Sequence, residues 1–128
     1  MPPQDEPAPR ILLIEDDELL RESLRDYLQE LGHVVETADH GRDALDRIAA
    51  RGPPRLILLD LRMPVMNGWE FAERKNADPA LAPVPMIVFS ADTRLEESAG
   101  AMRVVGRLTK PIDLAELTRL LSAYCGPV

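Results

Sequence analysis

The sequence predicts a doubly wound α/β fold: one sheet of five parallel strands with helices on both faces. Two observations predict it. Short apolar runs alternate five times with stretches of helical periodicity. The run Leu56-Ile57-Leu58-Leu59 is unbroken, as in a strand covered on both faces of a parallel sheet.

The elements follow in order. Residues 1–9, MPPQDEPAP, hold four prolines and no periodic pattern, and are expected to be a disordered lead-in. Ile11–Ile14 is a first strand, running into the acids Glu15, Asp16, Asp17 and Glu18. Leu20, Leu24, Tyr27, Leu28 and Leu31 recur at helical spacing and Gly32 ends that helix. Its leading acids, Asp17 and Glu18, suit a helix N-terminus. His33–Thr37 is a second strand, and 41–50 a helix with Ala44, Leu45 and Ile48 inward, closed by Gly52-Pro53-Pro54. The third strand, from Arg55, meets Asp60, after which Pro64 and Asn67-Gly68 signal a turn. A helix over 68–77, a strand over 85–89, a weaker helix over 93–102 and a strand over 103–108 follow. Asp113 caps a last helix with Leu114, Leu117, Leu120, Leu121 and Tyr124 as its apolar positions.

The totals narrow the function classes. At 128 residues the chain is expected to be one domain. A net charge of -7 disfavours nucleic acid and anionic membranes as partners. A lone cysteine, Cys125, permits no internal disulfide and fits a reducing compartment. No apolar run has the length of a membrane span or a signal-peptide core, so a cytoplasmic protein is expected. His33, His40 and Cys125 share no metal-ligand spacing, Trp69 is expected to pack with its helix, and Arg42 to Arg51 alternate with acids as a solvated face.

In a doubly wound sheet the carboxyl ends of the strands form the binding rim. The sequence places Glu15 and Asp16 after the first strand, Asp60 after the third, Ser90 after the fourth and Lys110 after the fifth. Two like charges ~4 Å apart cost about 4 kcal/mol at an effective dielectric near 20. A hard divalent cation removes that cost, and Mg²⁺ favours carboxylates together with a phosphoryl oxygen. A lysine and a hydroxyl beside it suit an anion, and one carboxylate is left to act as nucleophile.

The segments ILLIEDDELL, LILLDLRMPVMNGWE, PMIVFSAD and LTKPIDLAEL resemble the receiver domain of bacterial two-component response regulators. The likeness runs from about Arg10 to Tyr124, in the family's order and spacing, and marks 10–125 as the domain. It implies a flavodoxin-like strand order of 2-1-3-4-5. It implies that Asp60 is the phosphoacceptor for a histidine kinase's phosphohistidine, directly or through a phosphotransfer protein. Asp16 would be a direct Mg²⁺ ligand, Glu15 would act mostly through a water on the metal, and the backbone carbonyl of Arg62 would be a further ligand. Ser90 and Lys110 would contact the phosphoryl group, with Lys110-Pro111 cis. Such a domain is a signalling switch, monomeric or weakly dimeric, and an enzyme only toward its own phosphorylation and dephosphorylation.

Three positions depart from the family pattern: Arg107 stands where an aromatic residue is usual, Arg103 where glycine is frequent, and the span from Ser90 to Lys110 is short. All three bear on the readout face rather than on the chemistry. Arg62 and Asp92, two residues beyond Asp60 and Ser90, form a candidate opposite-charge pair over the pocket that would tune loss of the phosphoryl group. A haloacid-dehalogenase-type phosphatase needs a second Asp where Arg62 stands, and a flavin module needs a phosphate loop where the acids stand. The remaining alternatives are a degenerate receiver that works unphosphorylated and a receiver cut from a hybrid kinase. No output domain is expected, because the sequence ends close behind the last helix.

Overall fold

The computed structural model describes residues 10–61, 67–91 and 103–125. The lead-in, the expected helix over 93–102, Arg62 and Asp92 lie outside the described residues. Five parallel strands, β1 (Ile11–Ile14), β2 (Val35–Ala38), β3 (Leu56–Asp60), β4 (Met86–Ser90) and β5 (Gly106–Thr109), lie in the order β2-β1-β3-β4-β5. Four helices are described: α1 (Glu18–Glu30), α2 (Gly41–Arg51), α3 (Gly68–Ala77) and α4 (Leu114–Cys125).

The period-2 alternation of the strands sorts the core into two layers. Leu12, Ile14, Ile57, Leu59, Met86 and Val88 pack with Ala44 and Ile48 of α2 and Phe71 and Ala72 of α3. Ile11, Leu13, Leu56, Leu58, Ile87 and Phe89 pack on the other face with Leu24 and Leu28 of α1 and Leu117 and Leu121 of α4. Every residue of β1, β3 and β4 is buried, as continuous apolar runs require.

Local chemistry sets the ends of the elements. Asp17 caps α1 by accepting from the Leu19 and Leu20 amides, Asn67 caps α3 through Glu70, and Asp113 caps α4 through Ala115 and Glu116. His40 caps α2, its Nδ1 accepting from the Asp43 amide at 3.1 Å. Four strands begin later than the sequence indicates, β3 and β4 by one residue and the other two by more. After Gly32 (φ 98°) the His33 amide is used by Leu28, and β2 starts at Val35. Arg103 takes a left-handed φ of 60°, which no strand residue adopts, and β5 starts at Gly106.

Candidate functional site

β1 lies between β2 and β3, so the chain winds outward in both directions from it, and the rim between β1 and β3 is the topological switch point. Asp60 is the last residue of β3 and is 3% exposed. Glu15 directly follows β1, its amide bonded to Ala38 O at 3.1 Å, and is 0% exposed. Asp16, the next residue, is exposed. Carboxylate oxygens of these three residues lie within 4.8 Å of one another. Ser90 ends β4 and is buried, one residue beyond the partner of Asp60 in the β3–β4 register.

Lys110 closes the cluster from β5. Its amide donates to Ser90 O at 2.9 Å, and the Lys110-Pro111 peptide is cis. Nζ lies 3.2 Å from Glu15 Oε2 and 3.4 Å from Asp60 Oδ2, and 5.5 Å from the centre of the Phe89 ring. Burial works to lower the pKa of this ammonium, but the charges of Asp60 and Glu15 prevail and hold it above its ordinary value. Glu15 is raised as well: burial first, then the charge of Asp60, push its carboxyl up to about 7 against the pull of the Asp17 amide and Lys110. Glu15 Oε1 accepts from the Asp17 amide at 3.0 Å, whereas the buried Oε2 has no aligned hydrogen bond. Among the described residues one ammonium therefore stands against two of the three converging carboxylates. A hard cation fits this donor set, since it would take up the surplus charge and the orphaned oxygen together.

Beside the acids, α1 and the β5–α4 connection frame a largely apolar groove of about 620 Å³ lined by Leu20, Leu24, Tyr27, Pro111, Ile112 and Leu114. Lys110 belongs to both the groove and the acidic cluster.

The family model of the response regulator receiver domain matches residues 11–122. The chain belongs to that family. This receiver is 36% identical over 117 residues to an uncharacterized 14.6 kDa protein of Leptolyngbya boryana, covering 90% of this chain and 88% of that protein. It is 37% identical over 116 residues to the transcriptional regulatory protein CrdR of Helicobacter pylori, covering 90% of this chain and 54% of CrdR. The chain spans about half the length of several curated transcriptional regulators that it matches. A response regulator receiver protein from Pseudomonas putida has the same fold, with a TM-score of 0.84 at 30% identity over 91% of this chain and 98% of that one.

The receiver thus brings Glu15, Asp16, Asp60 and Lys110 together and sets Ser90 on the adjoining strand end. Arg107 stands apart from them, exposed on β5 opposite Val88. Two supporting residues were not legible as such. Arg21, half-buried in α1, donates from Nη1 to Glu15 O at 2.8 Å, and nothing in its sequence position signals that contact. Gly68, readable only as a turn residue, lets α3 approach the end of β3: a Cβ there would stand 2.8 Å from Leu61 Cα and 3.2 Å from Asp60 O.

Proposed function

We propose that this receiver is a phosphorylation-controlled signalling switch whose acceptor is Asp60. The observation that carries the reading is a buried carboxylate at the switch-point rim with an ammonium 3.4 Å away and two further acids beside it. In the proposed step a carboxylate oxygen of Asp60 attacks the phosphorus of a donor phosphohistidine. An acyl-phosphate O–P bond forms and the P–N bond breaks, with the electron pair left on the donor imidazole, which takes up a proton. Lys110 holds the phosphoryl oxygens and offsets their charge, and the Ser90 hydroxyl is available as a hydrogen-bond donor to them. Glu15, Asp16 and Asp60, with the Arg62 carbonyl, would hold Mg²⁺, which supplies charge neutralisation to the transferring group when bound.

The receiver acts on no separate substrate and catalyses only its own phosphorylation and dephosphorylation. Its donor is a histidine kinase or a phosphotransfer protein, and its output is contact with another protein. A net charge of -7 supports a protein rather than a nucleic-acid partner. Among the described residues no helix is long and apolar enough to cross a membrane, which supports the cytoplasm as its place of work.

Incubation with acetyl phosphate and Mg²⁺, followed by intact mass measurement, tests the reading. One phosphoryl adduct is expected on the wild type and none on Asp60→Asn. No adduct on either protein would leave the degenerate receiver, signalling through its unmodified fold, in its place.

A further inference from the structure

We infer that Arg21 is a positioning residue for the cation site, acting through the peptide that joins Glu15 to Asp16. The inference rests on the Mg²⁺ reading above and adds a residue that touches neither the cation nor the phosphoryl group.

Arg21 belongs to the first turns of α1, with its own amide bonded to Asp17 O at 2.8 Å. Its side chain turns back past the helix start, and Nη1 donates to the Glu15 carbonyl oxygen at 2.8 Å. A cation at this end of a helix opposes the helix dipole. The dipole therefore does not account for its orientation; the carbonyl acceptor does. With that bond both backbone groups of Glu15 and its Oε1 are held. Its N–H reaches Ala38 O at 3.1 Å, its Oε1 receives the Asp17 amide at 3.0 Å, and its C=O receives Arg21. The Glu15 carbonyl and the Asp16 nitrogen share one rigid peptide plane. Fixing that carbonyl therefore fixes the N–Cα bond of Asp16, and the Asp17 amide held by Glu15 Oε1 restrains the turn about it, so the Cβ of this exposed residue leaves the backbone in a restricted direction.

Two effects of Arg21 on a bound cation oppose each other. Its charge repels the ion, whereas its hydrogen bond holds the ligand pair ready. Positioning is expected to prevail, since partners that orient metal ligands are typically worth about tenfold or more in affinity.

Calorimetric titration with Mg²⁺, at a temperature where each protein is folded by circular dichroism, separates the two. Arg21→Met keeps the apolar stem and removes both donor and charge. It is expected to weaken Mg²⁺ binding by about tenfold. Arg21→Gln, the substitute if the Met variant fails to fold, is expected to weaken it in the same direction. Arg21→Lys, which retains a charged donor, should recover part of the loss. Tighter binding in the neutral variants would mean that Arg21 acts through charge alone. An unchanged affinity with a lowered melting temperature would reduce it to a fold contact. Either result overturns the inference while leaving Asp60 phosphorylation in place. A wild type that binds no Mg²⁺ would overturn the inference and the functional reading together.

Discussion

Two ionic clusters occupy opposite ends of the sheet, and they are built in opposite senses. At the amino end, three guanidinium groups surround one carboxylate. Arg10 Nε stands 2.9 Å from Glu36 Oε1, and Arg51 and Arg47 stand 3.3 Å and 3.8 Å from Oε2. The surplus is absorbed within the chain: Arg10 Nη2 donates to Gly52 O at 2.7 Å, and Arg47 Nε to Asp43 at 3.1 Å. At the carboxyl end, among the described residues, three carboxylates converge and one ammonium pairs with two of them, while a buried carboxylate oxygen lacks an aligned hydrogen bond. Both clusters hold buried charge, so burial alone does not distinguish structure from function. The distinction is whether the chain itself completes the set. The amino-end cluster is closed and ties β1, β2 and α2 together; under the function proposed above, a cation would complete the carboxyl-end cluster.

The comparison breaks most directly at Glu36. Removing the central carboxylate leaves Arg10, only 5% exposed, without its ion-pair partner. Glu36→Ala is therefore expected to destabilise the fold by about 3 kcal/mol, read from urea unfolding, with the acetyl phosphate reaction of the surviving folded protein preserved. If the amino-end cluster were ornamental, the unfolding midpoint would barely move.

The mirror-image change at the carboxyl end has the opposite sign. Glu15→Gln removes one of three repelling acids from a fully buried position. In EDTA at pH 8 it is expected to stabilise the protein by on the order of 1 kcal/mol. Added Mg²⁺ should then raise the melting temperature of the wild type more than that of the variant. A loss of stability in EDTA would show that Glu15 is a satisfied structural group like Glu36, and the contrast between the two ends would fail.

The two ends also differed in how far the sequence revealed them. Glu15, Asp60 and Ser90 were legible because each directly follows, or ends, an apolar run, and Lys110 because it stands between the last strand and Pro111; parallel strands deliver their ends to one rim whatever the detail of packing. The cap at Asp113 and the boundaries of α3 were legible for the same reason: the signal is local. The Arg10–Glu36 pair joins residues 26 apart and depends on the β1–β2 register, Ile11 against Val35, which no local pattern encodes. Arg47 and Arg51 alternate with acids as a solvated helix face does. They are indeed exposed, yet both reach the buried Glu36. Arg103 stands in a left-handed conformation that Gly or Asn would have announced and Arg does not, which is why β5 began three residues later than expected. The helix over 93–102, and with it any pairing of Arg62 with Asp92, lies outside the described residues.

The smallest expected effect sharpens the comparison at the amino end, where positive charge is already in excess. Burial, and then the charge of Arg55, hold the His33 imidazole below its ordinary pKa of 6.5. A base with a depressed folded pKa is kept neutral by the fold, while the unfolded chain takes up its proton near 6.5. Its contribution to stability is therefore complete above pH 6.5 and declines as the pH falls through the depressed folded value. His33→Gln should remove that decline, leaving the unfolding midpoint flatter on the acid side. Arg55→Gln should give a milder version, by taking away the second cause and keeping the first. An imidazole titrating at or above 6.5 by NMR in the folded wild type would mean that neither burial nor the Arg55 charge acts on it. Positive charge at the amino end would then not reach His33, and the surplus charge that separates the two ends would be local to the carboxyl rim.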